Sequence, residues 1–600
     1  MGTAGNFGFR SILLPFFCSF CAISLLLDFL HKNYPKYPFN IYNLYVRFPG
    51  KGTLYQIHGG FSMTLEELYQ GYNLDEYYIG KVTQVYRSNC TAQIDNLSLM
   101  ADRSKFNPSY LPNSINFYVI IDSVLGLFLG EVFENKASRK NVFDTAGGDA
   151  ASSDYMEIQI DTIALMAPDR DKFDLAGFKT LGITDKVYLA TNEIYQLFLK
   201  SLEFGNEDEE PLPPFATFLN RSEADVILKP STLFNRHLMC IGATNSGKST
   251  TALAILDKVV STKRKALIID PTGEYKNAFN DDEITKLTLG VDTTVSPGKI
   301  SMEQWEKLFE TENSSQGAVL SEAITSLRYM RKIGSDGWYA KIGEDIEEVQ
   351  ENIASVGKDD VEFNIELLPE QIQAESICEP DRDNNYNFKY RYDTLKANMN
   401  ASLIQKIQYQ MTNTRFLSFF SDDPDMYNLL DVIEEFVHLP EASLYIDTSA
   451  LGAAEGIGGM VIDLVSTFVM SRDNISPFVF FIDEVHRYAK SRYSEKEYHG
   501  GLTLLAREGR KKGIFLYLTT QNPKDVSPIL FGQVGTMLIH RLMLNDEIHA
   551  VESHLDDYAI KHVRKLNQGE VILTSVNLLH NMFIHVNKSN RTQHNATPQL

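Results

Sequence analysis

The nine residues GATNSGKST at positions 242–250 constrain the fold more than any other part of this sequence. They follow the apolar run HLMCI and precede TALAILDKVV, in which apolar residues recur at helical spacing. A strand, a glycine-containing turn and a helix in this order allow successive backbone amides to surround phosphate groups at a helix N-terminus. The segment therefore predicts a phosphate-binding loop in an α/β domain.

Every residue of this phosphate loop (242–250) is a candidate ligand of a nucleotide. Lys248 is expected to reach the β and γ phosphates, and the hydroxyl of Ser249 is expected to hold Mg²⁺. The predicted cofactors are accordingly ATP and Mg²⁺. The predicted nucleotide-binding residues are Gly242, Ala243, Thr244, Asn245, Ser246, Gly247, Lys248, Ser249 and Thr250.

A second apolar strand, SPFVFFIDEV, ends in two carboxylates, Asp483 and Glu484, as a Walker B element does. Asp483 is expected to hold Mg²⁺, and Glu484 is expected to polarise the attacking water. A third strand, GIFLYLTTQNP, places Gln521 where a residue could sense the γ-phosphate. A strand ending in a solvated acidic turn would give the same letters at 483 and 484. The phosphate loop in the same chain favours the catalytic interpretation.

Three arginines are candidates for a residue that completes a neighbouring subunit's site. LLAREGRKKG places Arg507 and Arg510 on a predicted helix and turn, and MLIHRL contains Arg541. An arginine supplied by a neighbour can raise the rate of phosphoryl transfer by orders of magnitude. The competing interpretation is a solvated basic turn.

The order of these motifs resembles the HerA branch of the FtsK and HerA superfamily of hexameric ATPases. With IHRLMLNDE near His540, the resemblance spans about residues 80–575. The sequence departs from the family at Asn245, where glycine is common, and at Thr272, where histidine is usual. Asparagine tolerates a positive φ, so the phosphate loop can still close. The segments that carry the resemblance are GATNSGKST (242–250), IIDPTGEY (268–275), FFIDEVHRYA (480–489) and LLAREGRKKGIFLYLTTQNPKDVS (504–527).

The resemblance implies an α/β fold with a RecA-like P-loop ATPase core, an N-terminal small β-barrel and an inserted helical subdomain. It implies a homo-hexameric ring that hydrolyses ATP and translocates or unwinds double-stranded DNA. A separately encoded nuclease or other effector is the implied partner, and antiphage defence is one implied role. It also implies that Asp270 and Glu274 help to arrange metal, water or a contact between subunits. The alternative for these two carboxylates is an acidic turn shaped by Gly273.

The charge balance opposes a simple DNA motor, because 56 basic residues stand against 78 acidic ones and give a net charge of −22. An acidic surface repels DNA phosphates, although a ring can line its pore with a few basic residues. Two other function classes therefore stay open. One is an ATP-binding scaffold that assembles and regulates an effector protein, and the other is a membrane-anchored DNA pump.

Composition shifts along the chain predict five segments. The sequence of short β-rich runs before residue 202 predicts the barrel, and helical apolar spacing after residue 301 predicts the insertion. The tail is predicted to be disordered or to form a strap across a neighbour. The segments are an apolar and irregular region 1–62, a β-barrel domain 63–202, an acidic proline-rich linker 203–214, a RecA-like core 215–580 with a helical insertion 301–440, and a polar tail 581–600.

The apolar run at residues 11–30 is long enough to cross a bilayer. Asp28 and Pro15 lower its quality as a membrane-spanning helix. We interpret the run as sequence upstream of a true start near Met63, with a membrane anchor and a docking tail as the alternatives. Five cysteines without a disulfide framework fit a reducing compartment, so the predicted location is the cytoplasm.

Overall fold

A computed structural model describes the greater part of the chain. The apolar run at 11–30, residues 204–208 of the predicted linker, residues 489–499 and the last eight residues of the tail lie outside the described part. The described residues are 44–47, 54–57, 64–96, 117–139, 154–168, 170–201, 203, 209–219, 221–311, 314–379, 388–421, 423–451, 455–488 and 500–592.

Two strands are described within the region that we predicted to be irregular, residues 1–62. Strand β1 (Leu44–Arg47) pairs antiparallel with β2 (Leu54–Ile57). The sequences of these strands, LYVR and LYQI, are only four residues long, which is too short for a periodic pattern to separate a strand from a loop.

Six antiparallel strands close into a barrel in the N-terminal part of the chain, as predicted. Gly130 lies at a register shift between two of them, and a Cβ atom there would lie 2.3 Å from the Ile160 side chain. Glycine is therefore required where these strands approach each other. In spatial order the strands are β3 (Tyr78–Val85), β4 (Asn89–Ile94), β7 (Asp154–Met166), β6 (Gly126–Arg139), β5 (Phe117–Ser123) and β8 (Lys186–Leu189).

Short helices flank the barrel. Helices α1 (Leu65–Leu68) and α2 (Leu74–Tyr77) precede it, and α3 (Asn192–Ser201) follows it and leads to the core. The buried Tyr69 hydroxyl donates a 2.8 Å hydrogen bond to the Leu189 carbonyl, which ties the first helical turn to the last barrel strand.

An eleven-stranded sheet forms the core. The first four strands in the spatial order given next have antiparallel pairing, and the other seven run parallel to one another. In spatial order the strands are β10 (Arg221–Val226), β9 (Ala216–Phe218), β23 (Met582–Val586), β22 (Glu570–Ser575), β21 (Thr536–Ile539), β11 (Leu238–Ile241), β20 (Ile514–Thr520), β19 (Phe478–Ile482), β12 (Lys265–Asp270), β18 (Ser443–Asp447) and β13 (Ile284–Thr288).

Strand β11 is buried on both faces of this sheet. Leu238 and Cys240 belong to one apolar cluster, and Met239 and Ile241 belong to another on the opposite face. Helices therefore cover both sides, as in doubly wound α/β proteins. The helices of the core outside the insertion are α4 (Pro230–Phe234), α5 (Lys248–Ser261), α13 (Glu455–Met470), α14 (Gly501–Glu508), α15 (Pro528–Phe531), α16 (Asn545–Val551) and α17 (Asp557–His562).

Helices predominate between β13 and β18, in the region predicted as a helical insertion. Within it, Lys341 Nζ lies 2.5 Å from Glu375 Oε2, and both side chains are buried. The helices are α6 (Met302–Leu308), α7 (Ser314–Lys332), α8 (Ile346–Ala354), α9 (Leu368–Ala374), α10 (Thr394–Met411), α11 (Thr414–Phe419) and α12 (Leu429–His438), and the short strands are β14 (Thr293–Thr294), β15 (Ile377–Cys378), β16 (Arg391–Tyr392) and β17 (Tyr427–Asn428).

The first residues of the predicted polar tail (581–600) belong to the core sheet and do not form a tail. Residues 582–586 form β23 of the core sheet, because Met582, Ile584 and Val586 alternate and are all buried. The following residues up to 592 pack on the chain itself, where Arg591 binds Asp257 of α5. This part of the tail is therefore ordered on its own core, and not on a neighbour.

Among the residues that the structure describes, no helix combines the length and the apolar character needed to cross a bilayer.

Candidate nucleotide-binding site

The phosphate loop connects β11 to the first turn of α5, as predicted. Asn245 has φ 63° and Gly247 has φ 104°, so both residues are in the left-handed region. The expectation that Asn245 can take a positive φ in place of glycine is met. A Cβ atom on Gly242 would lie 2.5 Å from Ser246 Oγ and 2.6 Å from His540 Cβ, so this position also requires glycine.

Two contacts attach the loop to the strands on its catalytic side. The Ala243 N–H donates a 3.2 Å hydrogen bond to the Arg541 carbonyl, just beyond β21. Thr244 Oγ1 donates to Gln521 Oε1 at 2.7 Å, at the end of β20. The loop therefore contacts the predicted γ-phosphate sensor directly.

Two further contacts hold the loop from the other side. The Gly569 N–H donates to the Ser246 carbonyl at 3.0 Å, and Gln568 Nε2 donates to Asn245 Oδ1 at 3.1 Å. Gln568 and Gly569 belong to the turn that precedes β22. The residues of this turn, NQGE, match no phosphate-binding motif, so no role for them was predicted from the sequence.

Lys248, Asp483 and Glu484 converge in the buried interior of the site. Lys248 Nζ lies 2.5 Å from Glu484 Oε1 and 4.0 Å from Asp483 Oδ1. Burial lowers the pKa of Lys248, but attraction to the two carboxylates outweighs it and raises the pKa above its ordinary value. Burial raises the pKa of Asp483 to about 7, against the opposing attraction of Lys248. Thr519 Oγ1 donates a short hydrogen bond to Asp483 Oδ1.

Glu484 is held in one orientation. It has φ 50°, and its N–H donates to Thr519 Oγ1 at 2.9 Å. Gln521 Nε2 donates to Glu484 Oε1 at 2.6 Å, and His486 Nδ1 lies 3.2 Å from Glu484 Oε2. Burial raises the pKa of Glu484, but the hydrogen bonds from His486, Lys248 and Gln521 together bring it down to about 2. The carboxylate is therefore ionised, which a base for water requires.

His486 and His540 also lie beside the site, although no role for either was predicted from the sequence. His486 Nδ1 also lies 3.3 Å from Thr520 Oγ1, so it joins Glu484 to the sensor strand. His540 is fully buried beneath the phosphate loop, and burial lowers its pKa to about 3. A neutral ring therefore packs under the loop. The sequence signal for them was their position in segments that carry the family resemblance, His486 in FFIDEVHRYA and His540 in IHRLMLNDE.

Asp270 shapes the loop that follows β12. It is fully buried, and its Oδ1 accepts hydrogen bonds from the N–H groups of Thr272 and Gly273, both at 2.9 Å. Its Oδ2 accepts from the Tyr275 N–H and the Tyr445 hydroxyl, both at 2.9 Å. With both oxygens engaged in this way, Asp270 positions the loop and does not itself point at the phosphates.

Glu274, at the tip of this loop, approaches the phosphate loop. Its Oε2 atom is buried without a protein hydrogen-bond partner. Burial raises the pKa of Glu274, and a hydrogen bond with Ser249 and attraction to Lys248 oppose the rise. Thr272, which replaces the family's usual histidine, donates from Oγ1 to Asp270 Oδ1 at 2.8 Å. The substitution therefore preserves a closed loop that presents Glu274.

The structure does not bring the arginines Arg507 and Arg510 to this site. Both are exposed beside the start of β20, whereas Gln521 follows its end. The seven residues of β20 span about 20 Å. The two arginines therefore lie at the amino-terminal ends of the parallel strands, whereas the phosphate loop lies at their carboxyl ends. Arg541 lies beside the phosphate loop, which it contacts through its carbonyl.

The predicted metal ligands fit Mg²⁺. Among the described residues, no group of three or more His, Cys, Asp or Glu side chains is arranged to hold a metal ion. Mg²⁺ in nucleotide sites uses one or two protein oxygens together with phosphates and water. Ser249 and Asp483 would supply such oxygens, and Glu274, whose side chain hydrogen-bonds Ser249, has a second carboxylate oxygen that is buried without a protein partner.

Comparison with known families agrees with this geometry. Residues 215–453 match the sequence model of the central domain of the helicase HerA. The chain is HerA-like. The resemblance predicted from the motifs is thus confirmed, and the matched region contains the phosphate loop and the loop of Asp270 and Glu274.

Curated relatives of this HerA-like chain are named as helicases or probable helicases of archaea. A probable helicase of Methanocaldococcus jannaschii is 23% identical over 359 residues, which are 59% of this chain and 63% of the relative. The probable DNA double-strand break repair helicase HerA of the same organism is 20% identical over 382 residues, covering 59% of this chain and 72% of the relative. The chain thus spans less than two thirds of the first of these relatives.

Solved structures show a partial likeness. VirB4 of Thermoanaerobacter pseudethanolicus is 13% identical, with a TM-score of 0.44, and the match covers 64% of this chain and 98% of that protein. A bacterial conjugative coupling protein is 12% identical, with a TM-score of 0.42, covering 64% of this chain and 92% of that protein.

Proposed function

We propose that this HerA-like chain is an ATP-hydrolysing motor that acts on double-stranded DNA as part of a homo-hexameric ring. The observation that carries the proposal is the buried network in which Lys248 and Gln521 both contact Glu484. Such a network unites a phosphate-binding cation, a phosphate sensor and a base for water. The relatives named as helicases support the DNA substrate.

The chemistry follows from these contacts. Lys248 binds the β and γ phosphates of ATP, and it must then turn away from Glu484, with which it pairs at 2.5 Å. Glu484 is thereby released to accept a proton from the attacking water. Ser249 and Asp483 would hold Mg²⁺, which would supply positive charge to neutralise the phosphates. Gln521, at the end of β20, contacts both Glu484 and the loop residue Thr244. Binding or loss of the γ-phosphate would therefore change the contacts of Gln521.

The positions of the arginines support a ring. Arg507 and Arg510 lie about 20 Å from their own phosphate loop, the length of β20. In a cyclic head-to-tail assembly two different surfaces of each subunit meet, so an arginine that is remote from its own site can reach the site of the next subunit. We infer that one of these arginines, or Arg541, contacts the neighbour's γ-phosphate. A separately encoded nuclease or other effector is the proposed partner, with a role in antiphage defence and a cytoplasmic location.

The test is the ATP turnover of the purified full chain, with and without double-stranded DNA, beside Lys248→Ala and Glu484→Gln. We expect DNA to stimulate turnover. Lys248→Ala should abolish nucleotide binding and turnover, whereas Glu484→Gln should bind ATP and lose about 10²–10⁴-fold in rate. Turnover by either variant at the parent's rate would refute the assigned roles.

The acidic charge favours a second candidate, a scaffold that uses ATP to assemble and regulate an effector. The net charge of −22 weakens non-specific contact with DNA. An ATP turnover rate that does not change when DNA is added, at every salt concentration tested, would favour the scaffold over the motor. Stimulation that weakens steeply as salt rises would favour the motor, because phosphate contacts release counterions.

A further inference from the structure

An exposed aromatic ring stands next to the phosphate loop, on the side away from Glu484. His585 is exposed near the end of β23, opposite Glu570 of β22. A Cβ atom on Gly569 would lie 3.2 Å from His585 Cε1 and 3.7 and 3.8 Å from its two ring nitrogens. The imidazole ring therefore lies against Gly569.

Gly569 in turn lies directly against the phosphate loop. A Cβ atom on Gly247 would lie 2.8 Å from Gly569 N and 3.1 Å from Gly569 Cα. The Gly569 N–H donates to the Ser246 carbonyl at 3.0 Å. Gly569 has φ 83°, so the turn needs glycine both for its conformation and for this approach. One residue thus separates the His585 ring from the loop that holds the phosphates.

Gln568 lies on the same side of the loop. Its side chain is exposed, and Nε2 donates to Asn245 Oδ1 at 3.1 Å. A carboxamide presents a donor and an acceptor side by side, which is the pattern that pairs with N6 and N7 of adenine. His585 offers a ring face for stacking and Gln568 offers this polar edge, and both are joined to the phosphate loop through one turn.

The direction of the triphosphate places the nucleoside on this side. Glu484 and Gln521, which act at the γ-phosphate, lie toward β19 and β20, whereas the turn before β22 lies beyond β21 on the other side of β11. A triphosphate bound along the loop with its γ end at Glu484 extends its nucleoside toward the turn.

We propose that His585 and Gln568 form the nucleobase subsite, in which the imidazole stacks on a purine and the carboxamide reads the adenine edge. The proposal rests on the proposed function, since it requires that the phosphate loop bind a nucleoside triphosphate. It adds the base specificity of that site, which the motifs do not contain.

The test is calorimetric titration of the full chain, in the presence of Mg²⁺, with two probes. ATP carries a base, and tripolyphosphate does not. For His585→Ala, the Kd of ATP should rise by about ten-fold, the size expected for lost base stacking, and the Kd of tripolyphosphate should stay unchanged. His585→Phe should restore the affinity for ATP, because a phenyl ring also stacks. His438→Ala is the matched control, since this histidine is also exposed but pairs with Glu434 at the end of α12.

Gln568→Ala tests the reading of the base. The parent should prefer ATP to GTP, and the variant should lose about ten-fold of this preference, because a bidentate amide contact discriminates between bases. Equal weakening of ATP and tripolyphosphate by His585→Ala, or no effect on either, would overturn the subsite. If the parent chain binds neither probe, the proposed function itself fails. Lys248→Ala should bind neither ATP nor tripolyphosphate. It therefore shows the result of lost phosphate binding, which differs from loss of the base subsite alone.

Discussion

At the scale of single residues, Asn245 shows how the phosphate loop tolerates a departure from its family. Its φ of 63° lies in the left-handed region, which costs most side chains about 1–2 kcal/mol. We expect Asn245→Gly to keep the loop conformation and lower the melting temperature and the affinity for ATP only slightly, through loss of the hydrogen bond from Gln568, and Asn245→Val to lower both much further. Thermal unfolding and nucleotide titration measure the two effects. Normal binding by the valine variant would contradict the conformational argument.

His486 is the second residue for which the contacts give a prediction. Its hydrogen bond contributes to a Glu484 pKa of about 2, far below the usual value of 4.5 for glutamate. Glu484 must be ionised to accept a proton, so it should not limit turnover of the parent between pH 8 and pH 5. His486→Ala removes one cause of the lowered pKa. We expect the acidic limb of its kcat profile to move to higher pH, whereas a merely structural role would lower kcat equally at every pH.

At the scale of elements, the loop after β12 depends on one carboxylate. Asp270 accepts hydrogen bonds from three backbone N–H groups, those of Thr272, Gly273 and Tyr275. Hydrogen bonds to a charged group contribute about 1.5–3 kcal/mol each. We expect Asp270→Ala to destabilise the protein by at least about 3 kcal/mol in urea unfolding. Glu274→Gln should leave the stability unchanged and weaken Mg²⁺-dependent turnover, which separates the positioning carboxylate from the one beside Ser249.

The C-terminal segment is a second element with a defined partner. Arg591 lies 2.5 Å from Asp257 of α5 and makes two hydrogen bonds to Glu283, at 2.7 and 2.8 Å. It therefore fastens the helix of the phosphate loop to the chain that precedes β13. The hydrogen bonds from Arg591 lower the pKa of Glu283 to about 2.

The pH dependence of this contact has a definite sign. A carboxylate with a lowered pKa stabilises the fold above its unfolded value of about 4.5, and this contribution is lost as the pH falls toward 2. Arg591→Ala should therefore reduce the free energy of unfolding at pH 7, and its difference from the parent should shrink at pH 3.5. Urea unfolding at the two pH values measures this. A difference that is constant with pH would mean that the ion pair with Glu283 adds nothing.

At the scale of the whole molecule, the separation of Arg507 and Arg510 from their own phosphate loop predicts sites shared between subunits. Lys248→Ala subunits lack a working loop but keep their arginines, and Arg510→Ala subunits have the opposite defect. If Arg510 acts on the neighbour's site, mixing and reassembling the two inactive chains should restore a fraction of the parent's turnover. The same mixture with Arg507→Ala, and then with Arg541→Ala, identifies which arginine acts. No recovery in any mixture would refute catalysis between subunits.

Much of the site could be predicted because its parts are local in sequence. GATNSGKST places its amides, Lys248 and Ser249 within one turn and one helix start, and the Walker B strand places Asp483 and Glu484 at its own end. The barrel followed from short β-rich runs. The prediction was wrong for residues 582–586, because a five-residue strand with polar neighbours gives too little periodicity to separate it from a tail.

The sequence by itself determined that this chain has a phosphate loop, a Walker B pair and an α/β core, since these depend on spacing within single segments. The tertiary structure decided which partners each residue has. Asn245 meets Gln568 323 residues away, and His585 reaches Gly569 only because β22 and β23 pair. It also decided that Asp270 shapes a loop, while Arg507 and Arg510 face away from their own site. Contacts between distant segments depend on strand order, and no local pattern of residues specifies that order.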